Sequence, residues 1–166
     1  MNLQESTIGI IGLGQMGGGI AANLVRAGYD LTGYDLKPKA VARLVQAGGR
    51  QAHSAQAIVD ACDVVLTSVE GKASISLADG LLLPNARPGQ CFVDHSTVPA
   101  PETRRIGQAF LDRGAQYLDA PVSGGKGGAA AGTLRVFVGG DRVTAERCWP
   151  LFEVIGNPEV VVYCGP

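Results

Sequence analysis

Short apolar runs alternate with amphipathic segments along this chain. The apolar runs, many of them rich in Val, Ile and Leu, predict strands that are covered on both faces, as in a parallel sheet. Strands are predicted at residues 7–11, 31–35, 50–52, 63–69, 91–94, 117–120, 134–138 and 160–163. Apolar positions three and four apart predict intervening helices, the clearest of them at residues 15–27, 101–113 and 142–155. The alternation predicts a single α/β domain over residues 1–166, with a doubly wound, mostly parallel sheet and an antiparallel member among the late strands.

Two further predictions concern the interior and the loops. In the first helix, spacings of four, four and three put one set of apolar side chains on a common face that we expect to be buried: Met16, Ile20, Leu24 and Ala27. Residues 123–132 follow a predicted strand and are nearly all glycine and alanine, so we expect a loop there.

Three glycines separate the first predicted strand from the first helix. Gly12, Gly14 and Gly17 have the G-x-G-x-x-G spacing of dinucleotide-binding turns. Gly12 permits a tight turn, Gly14 leaves room for a phosphate, and Gly17 lets the helix pack closely on the strand. The first N–H groups of a helix lack intrahelical partners and its dipole is positive at that end, so both favour an anion there. The turn therefore predicts a pyrophosphate site in a Rossmann-type fold.

The second predicted strand ends in an acid. Asp35 follows Gly17 by 18 positions, close to the place of the ribose-binding acid in such folds. A carboxylate there accepts hydrogen bonds from both ribose hydroxyls of NAD, and it repels a 2′-phosphate by ~1 kcal/mol or more per charge pair at contact. Lys37 would soften that repulsion, although a solvated lysine at a helix start needs no such role. We favour NAD as the cofactor, with NADP as the alternative.

Composition excludes several classes of protein. The net charge is −1 and only 17% of residues are charged, so no basic stripe indicates nucleic acid binding, and no apolar run approaches the length of a membrane span. The cysteines lack metal or redox spacing, and we interpret them as small apolar side chains without a metal: Cys62, Cys91, Cys148 and Cys164. Because the first strand begins so near Met1, there is no room for a signal peptide, and we expect a cytoplasmic protein.

Polar clusters follow three of the predicted strands, at the edge where parallel sheets bind ligands. They comprise residues 68–70, 94–97 and 121–125. We interpret Glu70 and His95 as ordinary loop residues, because no acid except the adjacent Asp94 is placed to orient the histidine as a general base.

The third cluster contains Ser123, Gly124 and Gly125. A serine hydroxyl beside glycine N–H groups forms a small anion pocket that suits a substrate carboxylate. The same composition also describes a flexible loop, and the residues alone leave both interpretations open.

Four separated motifs occur in one order along nearly the whole chain. They are Gly12-Leu13-Gly14-Gln15-Met16-Gly17 with Ala22-Asn23-Leu24, Val93-Asp94-His95-Ser96-Thr97, Asp119-Ala120-Pro121-Val122-Ser123-Gly124-Gly125, and Gly132-Thr133-Leu134 with Val138-Gly139-Gly140. Together they resemble the β-hydroxyacid dehydrogenases, a family that includes 3-hydroxyisobutyrate dehydrogenase and tartronate semialdehyde reductase. This combination is far more specific than the glycine turn alone.

The resemblance implies a role for each matching position. The turn from Gly12 to Gly17, including Gln15, would hold the pyrophosphate, with Leu13 and Met16 lining the cofactor cleft. The remaining cofactor-binding positions would be Asp35 at the adenosine ribose and Val69 and Thr97 along the cofactor. The substrate carboxylate would be bound by Ser123, Gly124 and Gly125. Glu70 departs from the proline that the family commonly has at this position.

The resemblance also implies a reaction, which is hydride transfer between NAD(P) and a small 3-hydroxy acid or semialdehyde acid. The family's general acid/base is a lysine that follows the stretch resembling Val162-Tyr163-Cys164-Gly165-Pro166, in a segment leading to a helical domain that usually forms the dimer. We therefore expect the catalytic lysine beyond Pro166 and no catalytic residue within this chain. We also expect cofactor binding with little or no turnover, and an intact protein that is a homo-oligomer formed through the helical domain.

Three rival interpretations remain. Imine reductases share the same first domain, but they usually lack the Pro121-to-Gly125 loop. The 6-phosphogluconate dehydrogenases typically carry Asn-Arg rather than an acid such as Asp35 at the end of the second strand. In a different class, the chain is a non-catalytic dinucleotide-binding module or sensor.

Overall fold

The computed structural model describes residues 3–166, and Met1 and Asn2, where the predicted domain begins, lie outside this range. The strands are β1 (Ile8–Ile11), β2 (Leu31–Tyr34), β3 (Arg50–Gln51), β4 (Val64–Thr67), β5 (Cys91–Asp94), β6 (Gln116–Asp119), β7 (Val122–Ser123), β8 (Leu134–Gly140) and β9 (Gly156–Gly165). The helices are α1 (Gln15–Arg26), α2 (Pro38–Gln46), α3 (Ala55–Ala61), α4 (Gly71–Leu77), α5 (Leu83–Asn85), α6 (Ala100–Leu111), α7 (Gly125–Ala131) and α8 (Arg142–Ile155), with a π-helical turn at Ala78–Leu82 and a 3₁₀ turn at Leu3–Glu5.

All the strands form one sheet in the order β3-β2-β1-β4-β5-β6-β8-β7, and β9 pairs with β8. The strands from β3 to β6 run parallel, whereas β8 runs antiparallel to β6 and β7. The order reverses direction beside β1, so the carboxyl ends of β1 and β4 flank the switch point at which such sheets bind ligands. The predicted doubly wound sheet with a late antiparallel member is confirmed.

Hydrophobic layers cover both faces of the sheet. Alternate residues of one strand point to opposite layers, so that Val64 and Leu66 pack in one and Val65 in the other. The first layer includes apolar residues of α1, α2, α7 and α8, and the second those of α3 and α6. This burial on both faces explains why the central strands are apolar without alternation.

The prediction that Ala27 is buried on the inner face of the first helix is wrong. Ile20 and Leu24 are fully buried and Met16 is half-buried against the core, but Ala27 is exposed. Ala27 is the C-cap of α1, where the chain already turns toward Gly28, so it no longer lies on the helix's inner face.

The predicted loop at residues 123–132 is also wrong, because most of it is helical. It contains the end of β7 and then α7, which packs directly on α1. A Cβ atom at Gly19 would lie 2.8 Å from the Cβ of Ala129, so only small residues permit this approach. The Asn23 side-chain amide donates to the Ala129 carbonyl oxygen at 2.6 Å and fixes the two helices together. No helix within residues 3–166 is long and apolar enough to cross a membrane.

Candidate cofactor site

The glycine turn brings β1, β4 and α1 into close contact. Gly12 has a φ of +95°, and a Cβ there would overlap the Ser68 carbonyl oxygen at the end of β4. A Cβ at Gly17 would overlap the Gly12 carbonyl oxygen. Gly14 differs, since a Cβ there would meet no atom within 4 Å. Gly12 and Gly17 are thus required by the fold, whereas Gly14 faces open space.

The first turn of α1 offers backbone donors to this open space. The first intrahelical bond runs from Gly18 N–H to the Gly14 carbonyl at 2.9 Å, so the N–H groups of residues 15–17 precede the helical hydrogen-bond ladder. Together with the positive end of the helix dipole, they can bind an anion.

Asp35 is connected to the same turn by hydrogen bonds. Its Oδ2 accepts from Leu13 N–H at 2.7 Å, and its Oδ1 accepts from Lys37 N–H at 2.7 Å. The two backbone bonds hold the carboxylate beside the turn in a fixed orientation. Each carboxylate oxygen retains a further lone pair that can accept from a ligand hydroxyl.

The ends of β4 and β5 are joined by side-chain hydrogen bonds. The Ser96 hydroxyl oxygen accepts from Val69 N–H at 3.1 Å, across 27 positions of the chain. Asp94 is buried and accepts from the Thr67 hydroxyl at 2.8 Å, the Ser74 hydroxyl at 2.5 Å and Ser96 N–H at 2.9 Å. Asp94 therefore fixes the loop that carries Val69 relative to the one that carries Ser96.

His95 is buried and bonded to the neighbouring strand end. Its Nδ1 lies 2.9 Å from the Ala120 carbonyl oxygen, and its ring contacts the Phe152 ring edge-on. Burial lowers the pKa of this imidazole. A neutral ring with its proton on Nδ1 fits these contacts, and the residue positions the β5 and β6 ends relative to each other.

These elements surround a cleft of about 380 Å³ along the carboxyl edge of the sheet. Its walls are formed by Gly12, Gly14, Gln15, Met16, Asp35, Ser68, Val69, Glu70, His95, Ser96, Thr97 and Val122. The cleft thus brings together seven of the nine predicted cofactor positions. Sequence reasoning gave no role to three other lining residues within the predicted polar clusters, Ser68, Ser96 and Val122. Its interpretation of Glu70 and His95 as ordinary loop residues also left out two residues that line the cleft.

Leu13 does not line the cleft as the resemblance implied. Its side chain is fully buried in the core, near Gly33 of β2, because the turn directs it inward. Leu13 contributes its N–H group to Asp35 instead. Gly17 lies behind the turn as a packing residue.

The predicted substrate loop lies next to one end of the cleft. Val122 lines the cleft, and the exposed Ser123 follows it in β7. Gly124 and Gly125 have φ angles of +143° and +61°, which L side chains rarely adopt; Gly124 is the N-cap of α7 and Gly125 its first residue. The three residues are exposed and do not themselves line the cleft.

The catalytic lysine that the resemblance implies, beyond Pro166, lies outside the described residues. Pro166 is exposed, comes directly after β9 and is absent from the cleft lining. Among the described residues that line the cleft there is no lysine, so the lining supplies no ammonium group as an acid/base. A catalytic lysine beyond Pro166 therefore stays a prediction.

Asp119, the last residue of β6, has a raised pKa and precedes the predicted substrate loop. Asp119 pairs in register with Asp94 of β5. Burial first, and then the neighbouring Asp94 carboxylate, raise the pKa of Asp119 to about 6. Strand pairing places the two acids side by side, a relationship that their sequence positions do not reveal.

The comparisons with known proteins agree with this geometry. The chain matches the family described as the NAD binding domain of 6-phosphogluconate dehydrogenase over residues 7–165. It is 43% identical over 162 residues to the NAD-dependent L-serine dehydrogenase of Pseudomonas aeruginosa, covering 96% of this chain and 54% of that protein. It is 42% identical over 154 residues to a 3-hydroxyisobutyrate dehydrogenase of the same organism, covering 90% and 51%. The solved structure of Mycobacterium tuberculosis 3-hydroxyisobutyrate dehydrogenase with L-serine matches with a TM-score of 0.89 at 37% identity, covering 96% of this chain and 54% of that one.

A doubly wound sheet with a glycine turn and an acid at its switch point defines a domain that binds NAD or NADP. The chain belongs to the β-hydroxyacid dehydrogenase family and corresponds to its N-terminal NAD-binding domain. This confirms the resemblance found in the motifs. The chain spans about half the length of the curated relatives that it matches.

Proposed function

We propose that this chain is the cofactor-holding domain of an NAD-dependent dehydrogenase that acts on a small 3-hydroxy acid. The observation that carries the proposal is the order of groups along the cleft. Asp35 follows β2, Gly14 follows β1, Val69 follows β4 and Thr97 follows β5, and these strands are consecutive in the sheet. Three strand spacings correspond to roughly 14 Å, the scale of an extended dinucleotide rather than of a single small acid.

Charge in the cleft favours NAD over NADP. The charged groups among the described lining residues are the carboxylates Asp35 and Glu70, with no Lys or Arg. A pyrophosphate would thus be held by the turn's N–H groups and the helix dipole. A 2′-phosphate at the adenosine ribose would meet the Asp35 carboxylate without a guanidinium or ammonium in the lining to compensate for it.

The proposed substrate binds beyond the Thr97 end of the cleft. Ser123, Gly124 and Gly125 supply a hydroxyl and backbone N–H groups for a carboxylate. L-serine and 3-hydroxyisobutyrate, which appear in the names of the relatives, share a carboxylate and a C3 hydroxyl. When bound, NAD would supply the acceptor for a hydride from C3, and the N–H groups of the glycine turn and the Asp35 carboxylate would hold the cofactor in place. The proton acceptor, a lysine in this family, is proposed to come from beyond Pro166.

Calorimetric titration with NADH, combined with a turnover assay, tests this proposal. We expect saturable binding of one NADH per chain, with ADP-ribose as a competitor. We also expect no NADH formation from NAD with L-serine or 3-hydroxyisobutyrate. Absence of NADH binding would refute the cofactor assignment. Turnover by the 166-residue chain would refute the proposal that its acid/base lies elsewhere.

A further inference from the structure

Two thiols meet between the sheet and α8, away from the cofactor cleft. Cys91 begins β5 and Cys148 lies in α8, 57 positions later in the chain. Their Sγ atoms are 3.8 Å apart, and both residues are fully buried. The fold has therefore placed two sulfurs in van der Waals contact that the sequence showed only as isolated cysteines.

A guanidinium lies beside this pair. The Nε and Nη2 atoms of Arg147 are buried and have no hydrogen-bond partner among the described residues. Arg147 is half-buried overall and its charge also acts on the Asp141 carboxylate, but these two N–H groups lack an acceptor, and a negatively charged one would stabilise them most. A thiolate on the adjacent Cys148 would provide that charge.

The two thiols differ in their tendency to ionise. Donation from the Cys91 S–H group, assisted by the nearby Arg147 charge, lowers the pKa of Cys148. The pKa of Cys91 is raised, first by this hydrogen bond and then by burial. Cys148 is thus suited to be the attacking thiolate and Cys91 the thiol that retains its proton.

We propose that Cys91 and Cys148 form a reversible dithiol–disulfide site that is oxidised by peroxide, with Arg147 as the group that activates Cys148. The Cys148 thiolate attacks one peroxide oxygen, the O–O bond breaks, and Cys148 becomes a sulfenic acid while hydroxide leaves and takes up the proton that Cys148 released. The Cys91 sulfur then attacks the Cys148 sulfur and displaces the hydroxyl group, which leaves as water with the Cys91 proton. The two thiols lose two electrons and peroxide gains them, so the products are one disulfide and two waters.

Oxidation requires a local opening of the structure. A disulfide bond is about 2.05 Å long, so the sulfurs need to approach by roughly 1.8 Å from their separation of 3.8 Å. Because both thiols are fully buried, peroxide reaches them only when α8 moves away from the sheet locally. Cys91 and Cys148 also pack in the hydrophobic core, as the sequence predicted, and the proposal adds a redox role to that packing.

Peptide mapping after oxidation of the folded protein tests the proposal. The experiment uses the variant Cys164→Ser, because Cys164 is exposed and would form disulfides between molecules. Cys62 remains as an internal control, since burial raises its pKa to about 11. After hydrogen peroxide and alkylation of free thiols in denaturant, we expect a linked peptide containing Cys91 and Cys148, which dithiothreitol separates, and alkylated Cys62. Alkylation of both Cys91 and Cys148 at peroxide doses that oxidise Cys62 would overturn the proposal.

Two variants examine the separate roles. Cys91→Ser should leave Cys148 as a sulfenic acid that dimedone traps, and an unmodified Cys148 would contradict its role as the attacking group. Arg147→Met should slow disulfide formation about three- to tenfold, as expected when fewer Cys148 thiols are ionised. Arg104→Met, an exposed change on α6, is the matched control and should leave the rate unchanged. Equal rates for the two arginine variants would remove Arg147 from the proposal.

Discussion

The carboxylate of Asp35 accepts a hydrogen bond from the backbone N–H of Leu13, with 2.7 Å between Oδ2 and the nitrogen. This bond joins the end of β2 to the glycine turn that follows β1. Lys37 N–H binds the other carboxylate oxygen, so the acid is oriented before any ligand arrives. An acid that follows a strand is ordinarily a solvated loop residue. Asp35 differs because its carboxylate accepts two backbone hydrogen bonds.

Asp35→Asn should weaken NADH binding about tenfold or more, because it removes charged acceptors that are worth about 1.5–3 kcal/mol each. The Asn amide also cannot accept from both backbone N–H groups, so we expect a loss of about 1 kcal/mol in the free energy of unfolding. NADPH binding should weaken less, since repulsion of its 2′-phosphate disappears. Asp30→Asn is the matched control, because Asp30 is exposed and paired with Arg50 at 2.6 Å. Calorimetry that shows equal losses for both cofactors would contradict the role of Asp35.

Gly14→Ala and Gly17→Ala should separate binding from folding. At Gly14 a methyl group meets no atom within 4 Å, so the free energy of unfolding should change by less than about 0.5 kcal/mol. The methyl group would occupy space next to the proposed pyrophosphate, and NADH affinity should fall about tenfold. At Gly17 the methyl overlaps the Gly12 carbonyl, and we expect destabilisation of about 1–3 kcal/mol.

Gly80→Ala provides the control for these glycine variants. Its Cβ also meets no atom within 4 Å, and Gly80 is absent from the cleft lining. Chemical denaturation and NADH titration should both resemble the unsubstituted protein. The prediction fails if Gly14→Ala binds NADH as well as Gly80→Ala does.

The packing of α7 on α1 predicts a difference between two adjacent alanines. Ala129 is fully buried against Gly19, whereas Ala130 is exposed on the same helix. Ala129→Val should destabilise the fold by about 1–3 kcal/mol through overpacking. Ala130→Val should change the free energy of unfolding by less than about 1 kcal/mol, which is the scale of helix propensity alone. Urea unfolding measures both, and equal effects would argue against close contact between the helices.

Asp119 predicts a dependence of stability on pH. Its folded pKa is about 6, above the ordinary value of 3.8, so the folded state binds the proton more tightly than the unfolded state. The stabilisation is therefore complete below pH 3.8 and is lost as the pH rises through 6. Asp119→Asn has no carboxylate to ionise and so avoids this loss. The difference in the free energy of unfolding between Asp119→Asn and the unsubstituted chain should therefore shift in favour of the variant by about 1–2 kcal/mol from pH 4 to pH 7, after allowance for partial exposure.

Denaturation at several pH values measures this effect. Asp112→Asn is a suitable control, because Asp112 is exposed and follows α6 at the surface. A constant difference between Asp119→Asn and the natural chain across this pH range would show that the Asp119 pKa is not raised.

Much of the fold follows from local sequence. Apolar strands alternate with amphipathic helices, and the glycine turn identifies β1 and α1 individually. The helix α7 could not be predicted, because glycines such as Gly127 and Gly128 weaken helix propensity. Its helical form depends on packing against Gly19 and on the Asn23 side chain, which lie more than 100 positions earlier.

The site was predictable for a topological reason, since the carboxyl ends of parallel strands meet at one edge. This rule places Asp35, Val69 and Thr97 together without any knowledge of side-chain contacts. The rule does not reveal the direction of an individual side chain, and the resemblance placed Leu13 at the cleft although its side chain is buried in the core. The bond between Val69 N–H and Ser96 likewise depends on the register of β4 and β5.

The most direct test of the central claim is calorimetric titration of the chain with NADH and NADPH under the same conditions. With Asp35 held beside the glycine turn and no cation among the described lining residues, we predict that NADH binds more tightly than NADPH. The same titrations on Asp35→Asn should reduce the preference. Tighter binding of NADPH to the unsubstituted chain would contradict the account.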